Sequence, residues 1–308
     1  MAPIRVALVG LGKIAHEQHL PTIAGTNRFQ LAATVSPVGP GLSNLPHFST
    51  LGALFADGVA VDAAVLCTPP QARYKLARDC LARGLHVLLE KPPCVTLGEV
   101  EALREDARES GMTLFAAWHS RFAPGVALAR TWLAGRRIDR VSVVWREDVR
   151  TWHPKQHWIW EADGPGVFDP GINALSILTH IMPHLVHVSH ATLMIPKNRA
   201  APIAAKLAFR AAACSEMTMD LDWRQTGRQI WDIAVETDEG NLRLTDGGAM
   251  LSLPTGTVNS DAQEYPTIYN HFATLIGAGL SDVDVTPLRL VADAFLRGRR
   301  EVVGAFHD

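Results

Sequence analysis

The sequence predicts an α/β protein in two parts. A doubly wound parallel sheet occupies about residues 1–120, and an α+β region over 121–308 is built on a large, open, mostly antiparallel sheet. Three observations carry this. Up to about residue 120, strand-like runs with apolar character on both faces alternate with helical periods, the pattern of a parallel sheet covered on both sides. A glycine-rich turn follows the first of those runs. Beyond residue 120 the runs alternate polar and apolar and follow one another through turns, as strands with one solvated face do.

Ile4–Val9 is a short β-branched run, followed by glycines and a helical stretch that Pro21 interrupts near its end. Phe29–Val35 reads as a second strand and Ala63–Leu66 as a third, ending in Cys67-Thr68-Pro69-Pro70. Gln71–Arg83 has helical period and stops at Gly84, a C-terminal cap signal. Leu85–Leu89 is a strand, apolar but for His86, running into Glu90-Lys91-Pro92-Pro93; Thr96–Ser110 is a helix closed by Gly111, and Thr113–Ala117 is the next strand. In the second part, Ile138–Arg150 alternates, as do parts of Leu185–Ile195, Ile203–Ala211, Glu216–Arg224 and Gln229–Glu236. Helical stretches lie near 122–134, 170–182 and 265–279. A last helix over about 287–300 is expected to pack back on the first domain.

With 308 residues, 47% hydrophobic and 19% charged, the chain can bury a sizeable core. The formal net charge of -2 and the lack of any block of like charge argue against a nucleic-acid or membrane partner. A small neutral molecule fits better. Cys67, Cys80, Cys94 and Cys214 show no C-x-x-C spacing and no zinc-ligand pairing with histidine, so no metal is expected. Scattered thiols, no secretory leader before the strand at Ile4 and no apolar run near the roughly 18 residues of a membrane span give a cytoplasmic expectation. An open sheet with one uncovered face points to a homodimer.

Gly10-Leu11-Gly12-Lys13-Ile14-Ala15 matches G-x-G-x-x-A between a strand and a helix, the context of a Rossmann-type dinucleotide turn. Gly10 allows the tight turn, Gly12 lets the backbone approach a pyrophosphate, and Ala15 permits close helix–sheet packing. The diphosphate then meets the helix N-terminus, at the backbone of Lys13 and Ile14. The second strand ends in Ser36-Pro37, with neither a carboxylate to repel a 2′-phosphate nor an arginine to clamp one. Ser36 can hydrogen-bond either form, so NAD and NADP are both expected. Lys91 follows a buried strand, where the carboxyl ends of parallel strands open on a ligand crevice, and Lys91-Pro92 is a candidate cis peptide.

Gly10–Ala15, Thr68-Pro69-Pro70, Glu90-Lys91-Pro92 and Gly-Val-Phe-Asp169-Pro-Gly-Ile-Asn173 together resemble the family of glucose–fructose oxidoreductase and inositol dehydrogenase. The resemblance runs along essentially the whole chain. Within the family the chain is most similar to bacterial aldose 1-dehydrogenases acting on sugars such as L-arabinose and D-galactose. The segments Ala117–Arg121, Glu147–Pro154, Trp158–Glu161 and Phe168–Ser176 carry that closer likeness. It implies oxidation of an aldopyranose at C1 to the lactone with NAD or NADP. It also implies that Gly10, Gly12, Lys13, Ile14, Ser36, Thr68, Pro69, Glu90 and Lys91 bind cofactor. Two rivals stand beside this reading: an inositol or polyol dehydrogenase, and a regulatory protein that binds cofactor and sugar without turnover.

One departure from the broad family is informative. Many members place Asp and, four residues later, a His that serves as base. Here the pair is Asp169 and Asn173, on one helix face at that spacing. Asparagine cannot titrate, so Asp169 is the first candidate for proton acceptor, with Lys91 and Asn173 holding the C1 hydroxyl. Asp169-Pro170 also reads as a helix start, with Asp169 as N-cap. Trp145, Trp152, Trp158 and Trp160 crowd one segment with His153 and His157, and aromatic faces suit the apolar faces of a sugar. His119, Glu147, Trp152, His153, Asp169, Asn173 and Trp231 are the candidate sugar contacts.

Overall fold

The computed structural model describes residues 2–39, 41–212, 214–260 and 263–307. The chain forms two compact units, Met1–His119 with Tyr265–Val285, and Ser120–Glu264 with Thr286–Asp308.

In the first unit β1 (Ile4–Val9) enters the glycine turn and then a helical stretch from residue 13. That stretch is π-helical over Ala15–His19 and continues as α1 (Leu20–Ala24). The wide turn ends two residues before Pro21, whose ring supplies no N–H to the helix ladder. Then come β2 (Phe29–Val35), β3 (His47–Phe48), α2 (Leu51–Asp57), β4 (Ala63–Leu66), α3 (Pro70–Leu81), β5 (His86–Glu90), α4 (Leu97–Ser110) and β6 (Leu114–Ala117). All six strands are parallel, in the order β3-β2-β1-β4-β5-β6. Strands β4 and β6 are buried at every position, which is why they read as continuous apolar runs. Helix α4 starts with a capping box, Thr96 accepting from Glu99 N while the Glu99 carboxylate accepts from Thr96 N, and ends on Gly111 at φ +69°.

The second unit runs through α5 (Val126–Leu133), β7 (Ile138–Arg146), α6 (Val149–Trp152), α7 (Phe168–Ile181), β8 (His187–Pro196), β9 (Ala204–Arg210) and β10 (Glu216–Asp222). It continues with β11 (Ile230–Thr237), β12 (Gly240–Thr245), β13 (Met250–Leu253) and β14 (Gly256–Asn259). Helix α8 (Glu264–Ala278) lies in the first unit from Tyr265 on, and α9 (Thr286–Arg297) and β15 (Arg299–Val303) complete the second. The nine-stranded sheet has the order β14-β13-β12-β11-β7-β10-β9-β8-β15. It is mostly antiparallel, but β7 pairs parallel with β10 and β15 with β8.

Helix α7 packs on β7 and β11 and against α5 and α9, and most of its residues are buried. A Cβ at Gly171 would sit 2.6 Å from the tip of the Leu221 side chain of β10.

The structure differs from the sequence reading at the C-terminus. The helix expected over 287–300 packs on β8 and α7 of its own unit through Leu288, Leu290, Val291 and Ala294, and the chain becomes the edge strand β15 from Arg299. The segment that returns to the first unit is Tyr265–Val285. Amphipathic periodicity shows that a helix has a buried face but not which surface receives it. Strand β3, helix α2 and the short strands β12 to β14 went unread, being brief or weakly patterned.

Candidate active site

In the first unit the candidate residues gather at the carboxyl ends of the strands. Gly10 follows β1, Ser36 follows β2, Thr68 lies just past β4, Lys91 follows β5 and His119 lies two residues beyond β6. This is where a doubly wound sheet opens its ligand crevice, at the β1–β4 switch of strand order. Gly10 has φ +92°, and a Cβ there would meet Thr68 N at 2.9 Å, so the turn needs glycine. Lys91-Pro92 is cis. Arg73 of α3 donates to the carbonyls of Glu90 and Pro92, which flank Lys91.

Glu90 turns inward. Its carboxylate is 3% exposed and takes hydrogen bonds from Tyr265 O–H at 2.7 Å, His19 Nε2 at 2.9 Å and the backbone N–H of Lys91 at 3.0 Å. Burial alone would raise its pKa, but the His19 hydrogen bond and charge, the His119 charge and the Tyr265 hydroxyl outweigh it and hold it at about 2. His19 is fully buried, and burial alone would discharge it; Cys67, Tyr269 and Glu90 around the ring raise its pKa well above the usual value. Its Nδ1 lies 2.9 Å from Tyr269 Oη. The Glu90 side chain is thus committed to His19, Tyr265 and the backbone N–H of Lys91. His119 stacks on Tyr265, with ring centroids 5.8 Å apart.

In the second unit the central strand β7 places Glu147 between two tryptophans. The parallel β7–β10 ladder continues past its ends, with Glu147 N donating to Asp222 O and Val149 N to Trp223 O. Trp223 thus comes beside Glu147 and donates Nε1–H to Oε1 at 3.1 Å. Trp231 of β11 pairs with Trp145 of β7 and donates to Oε2 at 2.9 Å. Burial raises the Glu147 pKa, and the two indole N–H groups oppose it without cancelling it. The Glu147 carboxylate is 5% exposed and anchors the two indoles. Trp152 leans on Trp231 at 5.7 Å.

Asp169 does not cap its helix. Helix α7 begins at Phe168 with Val167 as cap residue, and Asp169 lies in the first turn with its carboxylate 3.0 Å from His153 Nε2. Asn173 follows one turn later and is partly exposed. His153 Nδ1 faces Gln156 Oε1 at 3.2 Å, and its ring lies 5.3 Å from that of Trp223.

The first unit fits a dinucleotide on its own geometry. A Cβ on Gly12 would meet nothing within 4 Å, so the backbone is open to an approaching phosphate. The buried Thr68 Oγ1 has no hydrogen-bond partner in the chain. The Ser36 hydroxyl is donated to Val38 O at 2.9 Å, an ordinary turn contact that leaves its second lone pair for a ligand. Among the described residues, no group of three or more His, Cys, Asp or Glu side chains is arranged to hold a metal, and no helix is long and apolar enough to cross a membrane.

Comparison with known proteins adds the decisive observation. Residues 4–117 match the GFO/IDH/MocA oxidoreductase family, NAD-binding Rossmann fold. The chain is 46% identical to galactose 1-dehydrogenase of Pseudomonas fluorescens, over 100% of both chains. The chain belongs to the GFO/IDH/MocA oxidoreductase family. The crystal structure of D-galactose-1-dehydrogenase from Rhizobium etli superposes with a TM-score of 0.95 at 51% identity, covering 100% of this chain and 99% of that one. The WlbA dehydrogenase of Bordetella pertussis, solved with NADH and UDP-GlcNAcA, shares the fold with a TM-score of 0.83 at 19% identity, covering 96% of each chain. The first unit is the family's NAD-binding domain, and the fold class is that expected from the sequence.

The residues that went unread in this GFO/IDH/MocA chain are His19, Tyr265 and Tyr269 around Glu90, and Gln156 and Trp223 around His153 and Glu147. His19 and Glu90 are 71 residues apart and Tyr265 and Glu90 are 175 apart, so no local spacing announces them. Only the crowding of tryptophan and histidine near 152–160 was a usable signal.

Proposed function

We propose that this chain oxidises a galactose-type aldopyranose at C1 to the lactone with NAD or NADP. The observation that supports this most directly is the match along the whole chain, at 46% identity, to a galactose 1-dehydrogenase. Gly10, Gly12, Lys13 and Ile14 would hold the diphosphate at the helix start; Ser36 the adenosine ribose; Thr68, Pro69 and Lys91 the nicotinamide end. When bound, the cofactor accepts the C1 hydrogen together with its bonding pair.

In this reading Asp169 takes the C1 hydroxyl proton, and Lys91 and Asn173 orient that hydroxyl. A hemiacetal hydroxyl is more acidic than an ordinary ring alcohol, so a carboxylate is base enough. His119, Trp152, His153 and Trp231 contact the sugar, and Glu147 holds Trp231 and Trp223 in place. D-Galactose and L-arabinose differ by the hydroxymethyl at C5, worth only about 1–3 kcal/mol of discrimination, so turnover of both is expected. The open nine-stranded sheet favours a homodimer, and four free cysteines favour the cytoplasm.

The test is absorbance at the NAD(P)H band with D-galactose, L-arabinose and myo-inositol, each with both cofactors. Rapid turnover on D-galactose is the expected result. Cofactor binding without turnover on any aldose refutes the proposal and favours a regulatory protein; turnover only on the cyclitol favours the polyol dehydrogenase.

A further inference from the structure

His153 sits in a chain of hydrogen bonds whose polarity can be read. Gln156 Oε1 lies 3.2 Å from His153 Nδ1 and accepts Trp158 Nε1–H at 3.0 Å. An indole nitrogen can only donate, so it must face the amide oxygen; with the amide reversed, N–H would oppose N–H. Gln156 therefore offers His153 an acceptor, and Nδ1 carries a hydrogen. The neutral ring then has its lone pair on Nε2, which lies 3.0 Å from Asp169 Oδ2. One further proton can be held between these two atoms. Asn173, four residues beyond Asp169 on α7, cannot hold it.

We propose that His153 is the proton reservoir of the sugar oxidation, accepting at Nε2 the proton that Asp169 takes from the C1 hydroxyl, with Gln156 and Trp158 fixing the accepting tautomer. The proposal rests on the preceding assignment of Asp169 to the hydroxyl. The balance is simple. The C1 hydroxyl loses its proton to Asp169, C1 loses its hydrogen with the bonding pair to the nicotinamide cofactor, and the C1–O bond becomes a carbonyl. Asp169 passes the proton to Nε2, leaving a carboxylate beside an imidazolium. The ring side chain is 17% exposed, which gives that proton an exit to water.

Both carboxylates near the ring favour the imidazolium: Asp169 by direct contact, and Glu147, whose charge interacts with His153. Trp223 packs against the ring and carries no charge. Asp148, just before α6, is held by Arg150 at 2.8 Å.

The experiment is the pH profile of kcat/KM for D-galactose in the wild type, His153→Asn, Gln156→Glu and Gln156→Leu, with urea midpoints recorded for each. His153→Asn is expected to lose about 10²-fold in kcat and to flatten the ascending limb. Gln156→Glu places a carboxylate on Nδ1–H and moves the limb up by about one pH unit; Gln156→Leu lowers kcat without that upward move. An unmoved limb in Gln156→Glu, or His153→Asn within about twofold of wild-type kcat, in folded protein, overturns the relay while leaving the galactose reading intact. The ring also reports without substrate. Nitrogen chemical shifts of His153 should show Nδ1–H in the neutral ring, and an Nε2–H neutral tautomer overturns the assignment even if D-galactose proves not to be the substrate.

Discussion

Replacing Glu90 with glutamine tests how the first unit holds its crevice. The wild-type carboxyl is held at about 2, against an ordinary value of 4.5. That difference corresponds to about 3 kcal/mol of preference for the charged form in the folded state. Because the folded value is the lower one, this stabilisation is present above about pH 4.5 and is lost as the pH falls toward 2. His19 works in the opposite sense: its folded value is raised, so its share is full below an unfolded value of 6.5 and fades as the pH rises through the folded value. Glu90→Gln leaves His19, which is 0% exposed, without its carboxylate. Breaking one side of a buried pair typically costs about 3–5 kcal/mol, so a loss of about 3 kcal/mol at neutral pH is expected. Urea unfolding followed by far-ultraviolet circular dichroism, at about pH 7 and about pH 3, reads both effects. The wild type should lose stability between the two, and Glu90→Gln should lose markedly less. A variant within about 1 kcal/mol of wild type at neutral pH, with the same pH dependence, would refute the reasoning.

Other outcomes follow from the same geometry. Gly10→Ala forces a Cβ against Thr68 N at φ +92° and should cost about 2 kcal/mol while weakening NADH binding in a fluorescence titration. Trp223→Phe removes the donor to Glu147 Oε1 and should lower stability by about 1–3 kcal/mol. The Glu147 value is already raised by burial, so its charge opposes folding above its ordinary range and acidification relieves that cost; the relief should be larger in Trp223→Phe, as read by the pH dependence of the urea midpoint. Asp169→Asn should lower kcat by about 10²–10⁴-fold with NADH affinity unchanged. Asn173→Ala should raise KM for D-galactose by about tenfold, the worth of one hydrogen bond.

Much of the fold was legible from local pattern. Ile4–Val9, Phe29–Val35 and Ala63–Leu66 end in the structure where the sequence places them, because their carboxyl halves are buried and mostly apolar and turn residues follow; Ala63–Leu66 is buried at every position, while Arg5 and Gln30 near the starts of the other two are exposed. The Gly10 turn and the stop at Gly111 are likewise matters of backbone conformation within a few residues. The Asp169–Asn173 pair was legible as one helix face, since that follows from helical spacing alone.

Tertiary structure decided what those residues face. Helix α7 starts at Phe168, which puts Asp169 inside its first turn rather than at the cap, and the carboxylate meets His153, sixteen residues earlier in the chain. Glu147 becomes an anchor for two indoles because β10 and β11 flank β7, a strand order that no local period encodes. Glu90 finds His19 and Tyr265 only after the sheet has been wound and α8 has returned to it. Spacing along a chain reports which side chains share a face of their own element. Which other face lies opposite, and so which charge is neutralised, which proton is shared and which tautomer is held, is set by contacts between residues remote in sequence, and those exist only once the layers have packed.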